Sequence, residues 1–268
     1  PLAATGGADG AVRCYDAAKR KAAKKLAGHT GAVSRVRLHA TQPLIVSASA
    51  DSTVRVWSRE GKSLHTIAAH SDAVADVTIH ATGDYCVSAS ADKSWALSDL
   101  SRGEVILSVG DAPSGYSCAG FHPDGLILGT GTESLVRIWD VKSQANVASF
   151  EGHTGAVSGL AFSENGYYLA TGSADATVRL WDLRKLKNFQ TITPSAGAAV
   201  GAVGFDFSGQ FLAVGAGPSL TVYETKSWGT VAELAALAAP VSGVGFASGA
   251  TFLAAASADG KLTLYGQK

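Results

Sequence analysis

One feature limits what this 268-residue chain can become: segments near its start return in fixed register along its length. GHTGAVSRVRLH at residues 28–39 recurs as AHSDAVADVTIH at 69–80 and GHTGAVSGLAFS at 152–163, and SASADSTVRVWS at 47–58 recurs as TGSADATVRLWD at 171–182. Aligned where the second motif closes, the registers end at Tyr15, Trp57, Ser98, Trp139, Trp181, Tyr223 and Tyr265, spaced 42, 41, 41, 42, 42 and 42 residues apart. Units of this length, built of short strands, bury their faces only by stacking on neighbours, and about 40–45 residues is the period of a β-propeller blade. Seven registers predict an all-β, seven-bladed propeller that takes up residues 1–268 as a single domain.

Each register reads as four strands. In the second they are an inner strand Val33–Leu38, a more apolar Leu44–Ser49, a third strand Thr53–Trp57 and an outer strand Ser63–Ala68. Second and third strands occur seven times, beginning with Leu2–Gly7 and Ala11–Tyr15, whereas inner and outer strands occur six times each. The closure blade is therefore expected to be incomplete at the N-terminus, with the missing strands upstream of Pro1. The chain has no Met and opens on Pro1, so its natural start is also expected upstream.

Composition narrows the chemistry. Charged residues are only 16%, with 22 Lys+Arg against 22 Asp+Glu, so no global field draws the chain to nucleic acid or an anionic membrane. Cys14, Cys86 and Cys118 are odd in number and lie in apolar runs without CxxC spacing, which supports neither a disulfide framework nor a zinc site and fits a reducing setting. The most apolar stretch, Leu234 to Ala258, is punctuated by Pro240, Gly243, Gly245, Ser248 and Gly249; it reads as two short strands and a turn, not a membrane span.

The repeated motifs carry the WD-repeat signature. In that family the positions of His29, Ser49, Asp51 and Trp57 form a buried tetrad in which Asp orients the imidazole while His and Ser reach the indole N–H; His153, Ser173, Asp175 and Trp181 repeat the set. A Ser/His/Asp catalytic triad is the sharper reading, but it needs an exposed nucleophile beside an oxyanion hole. Recurrence at the blade period favours a satisfied buried network instead. The set degrades elsewhere: His70, Ser90 and Asp92 have Ser98 in place of Trp, Trp139 has Glu133 and no His, and Tyr223 keeps almost nothing. Every acid that can be placed reads as a turn residue in register, including Asp9 and Asp259, so no catalytic, cofactor or metal residue is predicted.

Two stretches go beyond the generic repeat. HATGDYCVSASADKSWALSDL at 80–100, with Trp95 displaced and Ser98–Asp99 in the usual Trp place, resembles one blade of the C-terminal WD-repeat domain of the pre-mRNA-processing factor 19 family. FHPDGLI, SENGYYLAT and LWDLRKLKNF within 121–192 resemble it too, and the likeness weakens from Thr193 onward. The resemblance implies a nuclear, spliceosome-associated ubiquitin ligase with links to DNA repair. Its U-box and tetramerising coiled coil would lie upstream of Pro1, and this propeller would dock splicing-complex proteins and ubiquitination substrates. The chain alone is then expected to be monomeric and without ligase activity.

Partner surfaces can be sorted by register. The positions at the start of the inner strands, among them Ala32, Ser34, Ala73, Ala75, Ser114, Tyr116, Ala156, Ser158, Ala198, Val200, Pro240 and Ser242, are nearly all small, leaving Tyr116 as the one aromatic anchor. Basic residues gather in the third-to-fourth-strand hairpins: Lys19, Arg20, Lys21, Lys24 and Lys25, then Arg59 and Lys62, Arg102, Lys142, and finally Arg184, Lys185 and Lys187. With the turn acids on the opposite face, this predicts a polarised ring that could bind an acidic protein segment or RNA backbone. Aromatics for base stacking are confined there to Phe189 and Trp228, which argues against sequence-reading RNA binding.

Overall fold

The computed structural model describes residues 2–19, 21–110, 112–234 and 236–266. Among them are 26 strands in seven sheets, and each follows the four-position pattern a–b–c–d in chain order with antiparallel neighbours. Blade 1 (2–26) holds positions b to d and blade 7 (241–266) positions a to c, while blades 2 to 6 (33–67, 74–110, 118–150, 157–192 and 200–234) hold all four. This is the seven-bladed β-propeller arrangement expected from the period, with six a strands, six d strands and seven each of b and c. The apolar stretch near the end resolves into Val241–Phe246, a single 3₁₀ turn at Ser248–Ala250 and Phe252–Ser257, and no helix among the described residues is long and apolar enough to cross a membrane.

Two compact units divide the chain, residues 1–121 and 122–268. In each, the core lies between successive sheets. In the first unit, Val54, Val56 and Ile67 of blade 2 meet Val74, Val77 and Cys86 of blade 3. In the second, Val178, Leu180 and Ile192 of blade 5 meet Val200, Leu212 and Val214 of blade 6. Burial follows strand position. In blades 2 to 6 the b strands are covered almost throughout, as at Leu44–Ser49, c strands mix buried and half-buried residues, and d strands are largely exposed, as at Ser63–Ile67. In blades 1 and 7 the b and c strands are less covered.

Local sequence chemistry sets the turns and the aromatic positions. In the b–c turns of five blades Asp9, Asp51, Asp92, Asp175 and Asp259 each accept the backbone N–H two residues on, so the carboxylate closes the loop there. Between c and d strands the register shifts immediately before Tyr15, Trp57, Ser98, Trp139, Trp181 and Tyr223. A bulge re-aims the side chain that follows it. Because the shift persists at Ser98, it belongs to the repeat and not to the indole. Trp95 of blade 3 is fully buried at the register of Val54, Val136 and Val178, filling the inter-sheet layer.

Candidate functional site

The buried polar sets are as expected in kind but not in every member. In blade 2 the hydroxyl that bridges histidine and indole belongs to Ser47, not Ser49. His29 Nδ1–H donates to Asp51 Oδ2 over 2.8 Å, Ser47 and His29 Nε2 are 2.8 Å apart, and Trp57 Nε1–H donates to Ser47 Oγ over 2.8 Å. Blade 5 repeats this with Thr171 in place of the expected Ser173: His153 to Asp175 2.8 Å, His153 to Thr171 2.8 Å, Trp181 to Thr171 2.9 Å. Blade 3 uses Ser88, not Ser90, 2.8 Å from His70 Nε2. The serines predicted from the sequence do turn work instead. Ser49 and Ser173 donate to Gly31 and Gly155 carbonyls and accept the backbone N–H of Asp51 and Asp175, and Ser90 does the same around Asp72 and Asp92. The physical reason is depth: Ser49 ends its strand at the turn, whereas Ser47 faces Arg55 across the ladder and lies diagonal to Trp57. Blade 4 keeps a reduced version in which Trp139 donates to Thr130 over 2.8 Å.

A neutral imidazole closes each set with every group in an ordinary role. The indole N–H donates to the hydroxyl oxygen, the hydroxyl donates to Nε2, and Nδ1–H donates to the carboxylate, the pattern that burial favours by disfavouring the imidazolium. Burial pushes His29, His70 and His153 below the usual histidine value despite the pull of Asp51, Asp92 and Asp175. Burial alone would raise Asp51 and Asp175, but hydrogen bonds from Thr53 and His29, and from Thr177 and His153, hold both well below the carboxylate range. The hydroxyl oxygens sit in fully buried residues and are shared between two donor or acceptor partners, which leaves no exposed nucleophile of the kind a triad requires.

Tyr116 is not a partner anchor. It is 2% exposed, and its N–H bonds to the Ser90 carbonyl, as the N–H of Val33 bonds to Gly7 and that of Val241 to Gly217. It therefore takes the core position of Val33 and Val241, two residues before the a strand Cys118–Phe121 and one residue out of the register in which the sequence placed it. Some of the small residues at the start of the a strands serve contacts between successive blades. Ser34 donates to Val74 O of the next blade over 2.6 Å and Ser158 bonds Val200 O of the next, while a Cβ at Gly201 would collide with Val241 O. At Gly201 the next blade approaches so closely that no side chain fits.

Not every acid is a turn residue. Asp76 lies within Val74–Ile79 and is 2% exposed. Its carboxylate accepts Arg35 Nε at 2.8 Å and the N–H groups of Val77 and Ala119 at 2.8 and 3.2 Å, with Arg37 at 3.8 Å. The charge of Asp76 raises Arg35 above its ordinary value. Arg35 and Asp76 stand 41 residues apart, one blade period, so opposite charges at one register in neighbouring a strands were the signal that could have found the pair. Among the described residues no group of three or more His, Cys, Asp or Glu side chains is placed to hold a metal ion.

The basic residues are dispersed and partly engaged. In the first unit, Lys21, Lys24 and Lys25 lie along a d strand whose register pairs Asp16 with Lys21 and Arg13 with Lys25, so Lys25 is about 13 Å further along than Lys21 at ~3.3 Å per residue. There it meets Asp9 at 3.3 Å, against the expectation that turn acids and lysines occupy opposite faces. Lys24 donates to Glu60 O over 2.7 Å and Lys19 pairs with Asp16 at 3.7 Å; Arg20 lies outside the described residues. Charges along an exposed edge strand deter pairing with another sheet, which accounts for most of this cluster. In the second unit, Arg184 is held by Asp182 at 3.0 Å, while Lys185 and Lys187 are exposed.

The family model described as WD domain, G-beta repeat matches residues 20–58, 61–97, 106–140 and 144–182. The chain belongs to the WD-repeat family. Sequence matches to that model end at residue 182, but blades 6 and 7 continue the same sheet pattern beyond it. Relatives named pre-mRNA-processing factor 19 align over nearly all of the chain: 43% identity to the Oryza sativa subsp. japonica protein (99% of this chain, 53% of the relative) and 45% to the Homo sapiens protein (97% and 52%). Homolog 2 of that factor in Arabidopsis thaliana is 44% identical over 98% of this chain and 52% of its own length. The chain spans about half the length of the curated relatives it matches.

Proposed function

We propose that this chain is a protein-docking propeller of a pre-mRNA-processing assembly, binding partner proteins through exposed side chains while its recurrent His, Asp and hydroxyl groups hold the blades together. The observation that carries the reading is the 43–45% identity, over almost the whole chain, to proteins named for pre-mRNA processing. The commitment of each network histidine to one carboxylate and one buried hydroxyl supports it, since those groups are spent on the fold.

The resemblance to a U-box ligase extends the proposal: docking delivers spliceosomal proteins and ubiquitination substrates to a ligase whose catalytic part is encoded upstream, acting in the nucleus and linked to DNA repair. RNA binding by the lysine hairpin is disfavoured by the engagement of Lys19, Lys24 and Lys25 with Asp16, Glu60 and Asp9. Immobilised chain incubated with nuclear extract should retain splicing proteins over a bead control, and recovery of none would refute the reading. In light scattering the purified chain should be monomeric.

A further inference from the structure

We propose that one face of the second unit, where the a–b turn of blade 5 meets the c–d turns of blades 5 and 6, docks an acidic peptide segment that carries an aromatic or aliphatic anchor. The inference deepens the docking reading and rests on it. Trp228 has φ 57°, at the turn position that Gly61 and Gly103 fill in blades 2 and 3 with φ 97° and 72°. A left-handed backbone is costly for any side chain and most readily taken by glycine, so the turn itself gives no reason for an indole. Leu186, 57% exposed, occupies the same turn position in blade 5 with φ 51°.

The Trp228 ring meets Tyr168 at 5.9 Å and Phe189 at 5.7 Å, and Phe189 meets Tyr168 at 5.1 Å. Phe189 remains 37% exposed and nearby Tyr167 48%. Trp228 and Tyr168 are half-buried, Trp228 resting on the core between blades 5 and 6, so the solvent-facing part of the patch is formed by Phe189, Tyr167 and Leu186. Neighbouring exposed apolar side chains of this kind are a feature of binding surfaces.

Charge selects the occupant. Arg184 stacks over Tyr167 at 4.4 Å and is fixed there by Asp182, whereas exposed Lys185 and Lys187 form no ion pair among the described residues. Uncompensated cations beside apolar anchors fit carboxylates flanking an apolar side chain. The rings pack edge-on or tilted against one another and Arg184 covers the face of Tyr167, so few open π-faces are left for base stacking.

The test is fluorescence anisotropy with three short labelled probes: a peptide alternating Asp and Glu with Phe and Leu, its lysine counterpart, and an oligouridine. The acidic peptide should bind, the lysine peptide should not, and Trp228→Gly or the pair Lys185→Glu/Lys187→Glu should each weaken binding about tenfold or more. Trp228→Gly suits the left-handed turn, and unchanged circular dichroism verifies that the variants fold. Unaltered affinity in folded variants, or preferential binding of oligouridine, overturns the proposal. The same variants in the nuclear-extract retention assay separate the two readings. If wild type and variants retain splicing proteins equally, this surface is wrong and docking stands; if wild type retains none, the docking reading falls and this proposal with it.

Discussion

Replacing Thr171 by valine tests whether one shared hydroxyl secures a blade. Valine keeps the β-branched shape but leaves two buried groups without partners: the Trp181 N–H, now 2.9 Å from the oxygen, and His153 Nε2 at 2.8 Å. An orphaned buried polar group costs about 1–3 kcal/mol, so Thr171→Val should destabilise the protein by about 2–6 kcal/mol. Thr171→Ser keeps the oxygen, as Ser47 does naturally in blade 2, and should cost only about 1 kcal/mol for the lost methyl group. In a Trp181→Phe background the indole donor is gone, and Thr171→Val should then cost about half as much, a coupling of about 1–3 kcal/mol. Urea unfolding followed by circular dichroism measures all four corners of the cycle. Equal losses for Val and Ser, or a coupling near zero, would refute the shared-hydroxyl account. Blade 3 supplies a natural control: Ser98 stands where the indole would be, so Ser88→Ala orphans His70 Nε2 alone and should cost about 1–3 kcal/mol.

Three further outcomes follow. Because His29, His70 and His153 are held below their unfolded value of about 6.5, the unfolded chain binds protons more tightly; stability should be flat above pH 7, fall as pH drops below about 6.5, and fall further below about pH 4 as Asp51 and Asp175 protonate. A urea midpoint that rises on acidification to pH 5 would mean the imidazoles work as cations. Asp76→Ala leaves Arg35 and the backbone N–H groups of Val77 and Ala119 without their acceptor, and should cost about 3–5 kcal/mol in the same unfolding assay. Burial pushes the Cys86 thiol up to about 12, and Cys14 and Cys118 are also buried, so a thiol reagent at pH 8 should modify the native chain far more slowly than the chain in denaturant.

Much of the fold was legible because a 42-residue period fixes the strand count and the turn acids at once. What escaped the sequence lay below the resolution of a period-2 pattern. Ser47 and Ser49 face the same side of one strand, so alternation cannot say which lies deep enough to reach Trp57; the ladder pairing of Ser47 with Arg55 decides it. A one-residue slip in the fourth register turned Tyr116 from a core residue into an apparent surface anchor. Lysines of one hairpin read as one rim until the strand pairing carried Lys25 to Asp9. The Arg35–Asp76 pair is invisible to likeness between repeats, because neighbouring blades also interact through complementary differences at one position.

A propeller that docks partner proteins acts by occupying them. Purified chain added in excess to a nuclear splicing extract measures that directly, since a free docking domain competes for the partners that the full-length factor needs. Splicing of a reporter transcript should fall with increasing concentration of the chain, and the Trp228→Gly, Lys185→Glu, Lys187→Glu variant should inhibit far less. Undiminished splicing at saturating excess of the folded chain would contradict the claim.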